Sequence, residues 1–304
     1  MQALVNTPKK VLDLQFNATV FSFEIISVFL LVFFVLSWRL IAIILKKNES
    51  KIFLTVGFVL ATFLSIFVPI GLSTIGSRNP VHIMGNPMIV LFNSFLLGYG
   101  ASGQTPLKKG WIGSPVYKGI PYLIGGQLLG GLLGLIFFYM FFWMYKIVNN
   151  KNTNKNELQK LNFLSIFENN SNLGFGKFIL KEGFFITLLM VLFPFAGMIN
   201  TATYSSNHFQ IHLVQLVVVG MVILISSFFD FFSFHLAFPM IELIIKSIAY
   251  FKLEKNQRIN QIKSYMMQWA KLLVVIVFSV LIPIDIALAT VAIKIKTGGI
   301  ISVS

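Results

Sequence analysis

The chain has 304 residues, of which 56% are hydrophobic and only 11% charged, with a mean hydropathy of +0.82. A soluble domain of that size needs far more polar surface, and several apolar runs exceed the roughly 18 to 20 residues that span a bilayer, so the chain reads as an all-α, multi-pass membrane protein. The net charge of +14 would point to nucleic acid in a soluble protein, but here the bases cluster between apolar segments, where they read as headgroup anchors, and no nucleic-acid-binding signature accompanies them.

Cysteine is absent, which excludes disulfides and thiolate metal sites. The wealth of Phe, Ile, Lys and Asn is that of an AT-rich bacterial genome. Lys9 and Lys10 precede the first apolar segment, which is too long for a signal-peptide core and is expected to stay as a first helix. The long apolar segments cover roughly 19–45, 52–76, 119–147, 174–199, 210–230 and 266–296. Two shorter ones, about 86–98 and 236–250, follow the second and the fifth. At that length they fit re-entrant half-helices buried inside the bundle, because irregular backbone at membrane depth is tolerated only within protein or along a cavity.

The polar stretch 148–172 is rich in Asn and Lys and reads as a mobile surface linker. It divides a single transmembrane domain into a first three-helix repeat (1–147) and a second (173–304). Each half opens with an apolar helix carrying one acid, Glu24 or Glu182, and each short segment carries Pro-Met, at Pro87-Met88 and Pro239-Met240. With three spans per half, the second repeat must be inverted, and inverted repeats with broken helices are a transport architecture.

Asn86-Pro87 makes a good helix start, since Asn caps the first turn and Pro favours the first helical position. A path past that end meets N–H donors and a partial positive charge. Gly125, Gly126, Gly130, Gly131 and Gly134 form a small-residue stripe suited to close helix packing, with no phosphate-loop Lys after it. His208 and His212 lie four apart but have no third metal ligand in sight, and read as a solvated loop pair. Asp285, after Pro283, reads as a helix-end or kink partner ahead of a proton relay. No His, Asp or Ser cluster at catalytic spacing is present, so an enzyme is not expected, and nothing calls for a cofactor.

Taken in order, "EIISVFLLVFF", "GNPMIV", "YLIGGQLLGGLLG", "KEGFFITLLMVLF", "AFPMIE" and "QWAKLLVVIV" resemble the helix motifs of the aquaporin and glycerol-facilitator family (major intrinsic proteins). The resemblance covers nearly the whole chain and implies six tilted spans plus two half-helices meeting at mid-membrane. It also implies one pore per subunit, usually in a homotetramer, in the cell membrane. Glu24 and Glu182 would anchor the re-entrant loops. Gln127, Gly130 and Gly134 would pack the third helix. Box one would be Asn86, Pro87 and Met88, and box two Phe238, Pro239 and Met240.

The departures from the family pattern are Met for Ala in both boxes, Phe238 for the second Asn, and Ile241 for the selectivity Arg. The two thioethers are expected to face each other, since Met fills irregular gaps. His235, Val56 and Ser226 fall near the filter on the same alignment. Loss of the Arg removes a fixed charge and a fork of donors, so the expected solute is small and neutral, glycerol-like or another polyol, ahead of water alone. The competing readings are an occluded pore of the same fold and a substrate-binding subunit of an energised uptake system. Basic residues are unevenly divided: sixteen lie in the linkers after spans one, three and five, and eight on the other side. The positive-inside rule then puts the termini outside, opposite to the family.

Overall fold

A computed structural model describes residues 16–77, 83–100, 119–150, 163–167, 174–196 and 208–297. The described elements are helical, with no strand among them. In chain order they are α1 (Ala18–Ile44), α2 (Lys51–Ser77), α3 (Pro87–Gly100), α4 (Ile120–Asn150), a 3-10 turn (Phe163–Ile166), α5 (Phe175–Ala196), α6 (His208–Ser227), α7 (Ala237–Lys252) and α8 (Lys255–Thr297). Among the described residues, four helices are long and apolar enough to cross a membrane: α1, α2, α4 and α8. The protein is an all-α, multi-pass membrane protein.

The helix boundaries follow local chemistry. Asn17 caps α1 by accepting the Val20 N–H at 3.1 Å. Pro87 opens α3, where its missing N–H costs nothing. Pro69 and Pro283 sit inside α2 and α8 without ending them, as happens in membrane helices whose neighbours re-satisfy the freed carbonyls.

Helix packing has an internal symmetry. Within the first half α1 packs on α2 and α4, and within the second α5 packs on α6 and α8. Across the halves α2 meets α6, α3 meets α8, and α4 meets α7. The contacts α3–α4 and α7–α8 complete the scheme. Exchanging α1–α4 for α5–α8 maps α2–α6 onto itself and each of the other pairs onto another of them. Each short helix is buried in the opposite half: Met88, Phe92 and Leu96 of α3 pack with Phe185 and Met190 of α5 and Ile223 of α6. Ala237, Ile241 and Ile245 of α7 pack with Val28 and Leu36 of α1 and Phe138 of α4.

The glycine stripe of α4 makes that interlock possible. A methyl group on Gly130 would lie 2.4 Å from the Ile25 carbonyl oxygen, and one on Gly134 2.8 Å from that of Phe29. Gly131 does the same for α7, where an added carbon would sit 3.0 Å from the Ala237 Cβ. Lipid tails are as apolar as leucine, so such close contact, and not water exclusion, holds these helices together. Gly125 stands apart, with open space around it.

The linker departs from a uniformly mobile surface loop. Its apolar "FLSIF" stretch folds as the 3-10 turn and buries Ile166 and Phe167 against α1, α4 and α7. Phe163 packs on Phe138, Tyr139 and Phe142. At the opposite side of the sequence, α7 and α8 form a hairpin. Tyr250 and Tyr265 stack at 4.3 Å, Arg258 Nε donates to the Leu253 carbonyl at 2.7 Å, and the Tyr250 hydroxyl donates to the Arg258 carbonyl at 3.2 Å.

Candidate functional site: two helix tips and a charged cavity

The buried acid of the first half organises the first tip. Glu24 on α1 is fully buried. Its carboxylate accepts the Met84 N–H at 2.7 Å, the Gly85 N–H at 3.0 Å and the Gln127 Nε2–H at 2.8 Å. A buried carboxylate without such donors would be very costly. Gly85 has φ +58°, and a Cβ there would also press on Ser27 Oγ at 3.1 Å, so glycine is required for two reasons. The loop then delivers Asn86, whose Oδ1 accepts the Met88 N–H at 3.0 Å and caps α3.

The second tip repeats the plan with different residues. Glu182 on α5 is buried and accepts the Ser233 N–H at 2.9 Å, with Lys181 Nζ 3.4 Å from its other oxygen. Lys181 also donates to the carbonyls of Asp230 and Phe231 at 3.1 and 2.6 Å. Those two residues have φ of +65° and +35°, a left-handed stretch that is costly for a bulky aromatic and persists only where neighbours hold it. The lysine is that hold.

His235 takes the part of Asn86. Its Nδ1 accepts the Ala237 N–H at 3.0 Å, the same cap-to-second-residue bond, so the ring hydrogen is on Nε2. The tips are joined: Asn86 Nδ2 donates to the carbonyl of Phe234, the residue before His235, at 2.8 Å. His235 is wholly buried, and its Nε2 makes no full hydrogen bond among the described residues.

This geometry moves the expected second box by three positions. The counterpart of Asn86-Pro87-Met88 is His235-Leu236-Ala237, and α7 begins at Ala237, ahead of Pro239. Phe238 is therefore not at the cap; it follows the tip, with its ring 6.3 Å from His235 and 6.0 Å from Phe58. Met88 and Met240 do not form a pair. Met88 is buried among α3, α5, α6 and α8, Met240 is half-buried one turn into α7, and the position matching Met88 holds the small Ala237 against Gly131.

The remaining expected positions separate as well. Ile241 is 2% exposed and packs into the α1–α4 core. Val56 is 52% exposed on the outer side of α2. Ser226 is fully buried and donates to the Ile223 carbonyl of its own helix at 2.8 Å. Asp285 is exposed on α8. His208 and His212 fall in the first turns of α6 and not in a loop, though their side chains lie outside the described residues. Among the described residues no group of three His, Asp or Glu is placed to hold a metal.

Beside the second tip lies a cavity of about 180 Å³. Phe58, Phe178, Phe234 and Phe238 give it an aromatic wall, while Arg39, Lys181, Lys246 and Lys271 face it with Glu182, Asp230 and Glu242. A neighbouring cavity of about 260 Å³ shares Arg39, Phe58, Asp230 and Phe231 with it and reaches Asn48, Glu49 and Lys51. Phe58 packs on Phe231 at 5.5 Å, so an aromatic partition of Phe58, Phe231 and Phe238 stands next to the tips. Sequence reasoning missed Phe58, Phe231 and Lys271. Lys271 passes unremarked inside the "QWAKLLVVIV" stretch, the two phenylalanines lie in no motif, and only the fold brings the three together.

No family model, curated protein or solved structure matches this chain. The functional reading therefore rests on these contacts.

Proposed function

We propose that the chain forms a membrane pore for passive, facilitated diffusion of small neutral solutes, polyols of glycerol size foremost and water with them. The arrangement we infer is aquaporin-like: six spans and two half-helices, α3 and α7, in two inverted repeats. Homotetramers in the cell membrane belong to the same reading. The observation that carries it is the Asn86–Phe234 hydrogen bond, which ties one short helix's tip to the loop of the other deep in the bundle. Two helix N-termini converging there present donors to a passing hydroxyl and oppose cations. A buried acid in each half holds the loops, and the packing maps onto itself when the halves are exchanged.

The aromatic partition supports a second reading within the same fold, a pore closed at rest by Phe58, Phe231 and Phe238. Reconstitution separates the two. Proteoliposomes carrying the wild-type chain should relax after a glycerol gradient faster than empty vesicles, without an energy source. Phe238→Ala should quicken that relaxation severalfold by removing the ring beside the tip. Conduction by Phe238→Ala alone would favour the closed pore. Stopped-flow traces matching empty liposomes for water and several polyols, in both proteins, would overturn the channel.

A further inference from the structure

The turn that leads from α6 into the second tip is held by side chains of three residues on two other helices. Lys51 of α2 donates to the Phe228 carbonyl at 3.3 Å, and Lys181 of α5 donates to those of Asp230 and Phe231 at 3.1 and 2.6 Å. Glu182 accepts the Ser233 N–H at 2.9 Å. Phe228 and Phe229 are 61% and 60% exposed, whereas Phe231, two residues on, is half-buried. The left-handed pair Asp230-Phe231, with φ of +65° and +35°, lies between these two situations. A bulky aromatic populates that region sparsely, so the turn without its hold relaxes toward ordinary backbone and carries the ring with it. Glycine would adopt that φ without strain; the sequence has an aromatic ring there instead, and the ring has a place to fill. It lines both cavities, of about 180 and 260 Å³, and packs on Phe58, which in turn packs on Phe238.

We propose that Phe231 is a movable gate between the two cavities and that Lys181 is the positioning residue that holds it shut. The lysine stands outside the aromatic partition and acts on it through the backbone, by gripping the carbonyls on both sides of the Asp230–Phe231 peptide link. When the grip is lost, the strained pair relaxes, the ring leaves Phe58, and the two cavities join. A charge-assisted bond of that kind shifts such an equilibrium by about tenfold or more. The gate gives the closed-pore form of the channel reading its moving part, and its consequence for flux rests on that reading. Entry of a small reagent into the first cavity requires no transport.

The test uses the full chain in nanodiscs. The chain has no cysteine, so Leu243→Cys places a single thiol on the wall of the first cavity and not the second, at a position only 6% exposed. Iodoacetamide, which is small and neutral, should alkylate that thiol slowly, as followed by intact mass. Adding Lys181→Met should speed alkylation about tenfold or more. Phe231→Gly, which removes ring and strain together, keeps the test alive if Lys181→Met folds poorly, and should be as fast. Combining the two should be no faster than Phe231→Gly alone, whereas a lysine that merely braces the bundle would speed labelling in both backgrounds. Fast alkylation of Leu243→Cys alone, an unchanged rate with Lys181→Met or Phe231→Gly, or a further rise when the two are combined would each overturn the gate. Glycerol relaxation of proteoliposomes carrying the same variants separates the two readings. Faster alkylation with flat flux traces throughout would keep the gate and sink the channel; wild-type flux with unchanged alkylation would do the opposite.

Discussion

At the residue scale, a methyl group on Gly57 would stand 1.9 Å from the Trp38 ring, which is fixed by donating its indole N–H to the Phe53 carbonyl at 2.9 Å. Gly57→Ala is therefore expected to pry α2 from α1 and cost about 1–3 kcal/mol. Gly125→Ala, with nothing within 4 Å, should be neutral or slightly favourable, since alanine is the better helix former. Thermal unfolding in detergent, followed by size exclusion, compares the two. The Glu24 cluster makes a coupled prediction. Glu24→Gln turns an amide donor toward one of three donors already present, and should cost about 1–3 kcal/mol. Combined with Gln127→Ala the losses should not add, because both variants disturb one hydrogen-bond network. Additive losses would show that Gln127 is only a neighbour.

At the element scale, the two short helices depend on their caps. Asn86→Ala removes both the cap of α3 and the bond to the Phe234 carbonyl, whereas Asn86→Asp keeps the cap acceptor and loses the donor. We expect Ala to cost the more, about 0.5–2 kcal/mol for the cap alone, with the difference read from the denaturation midpoints of the two variants. The helices themselves were legible in the sequence, because membrane-length apolar runs and polar interruptions leave few alternatives. The start of the short helix at Pro87 was legible too, since Asn86 and Pro87 carry a known mechanism for opening a helix. The second tip was not. Its cap is a histidine, a residue with no strong capping preference, and Pro239 imitates the Pro-first pattern of Pro87 although it lies two residues inside α7. A three-residue slip followed, and with it Phe238, Ile241 and Met240 changed places. The filter candidates failed for a related reason. Successive helix positions point about 100° apart, so outward Val56 and buried Thr55 cannot be told apart without knowing which side the partners occupy.

At the scale of the whole molecule, the proposed six-span topology puts the cavity's Arg39, Lys181, Lys246 and Lys271 on the side carrying the larger share of Lys and Arg. The positive-inside rule then places that side in the cytoplasm. The chain has no cysteine, so single substitutions report topology cleanly. Lys255→Cys should resist a membrane-impermeant maleimide in intact cells and react after permeabilisation, and immediate labelling would reverse the orientation. The swapped burial of α3 and α7 has its own outcome. Because each half supplies a helix to the other's core, the halves should unfold together, as a single transition in denaturant with no half-folded species.

The α7–α8 hairpin adds a mechanical property. One leg starts at the His235 tip, and the other carries Gln268, Lys271 and Leu272 along the cavity wall. From Lys255 to Lys271 is about 24 Å at the helical rise per residue, a stiff arm braced by the Tyr250–Tyr265 stack. A tug at its outer elbow, from a protein or from crowded lipids, reaches the cavity through unbroken helix, with no joint between to absorb it.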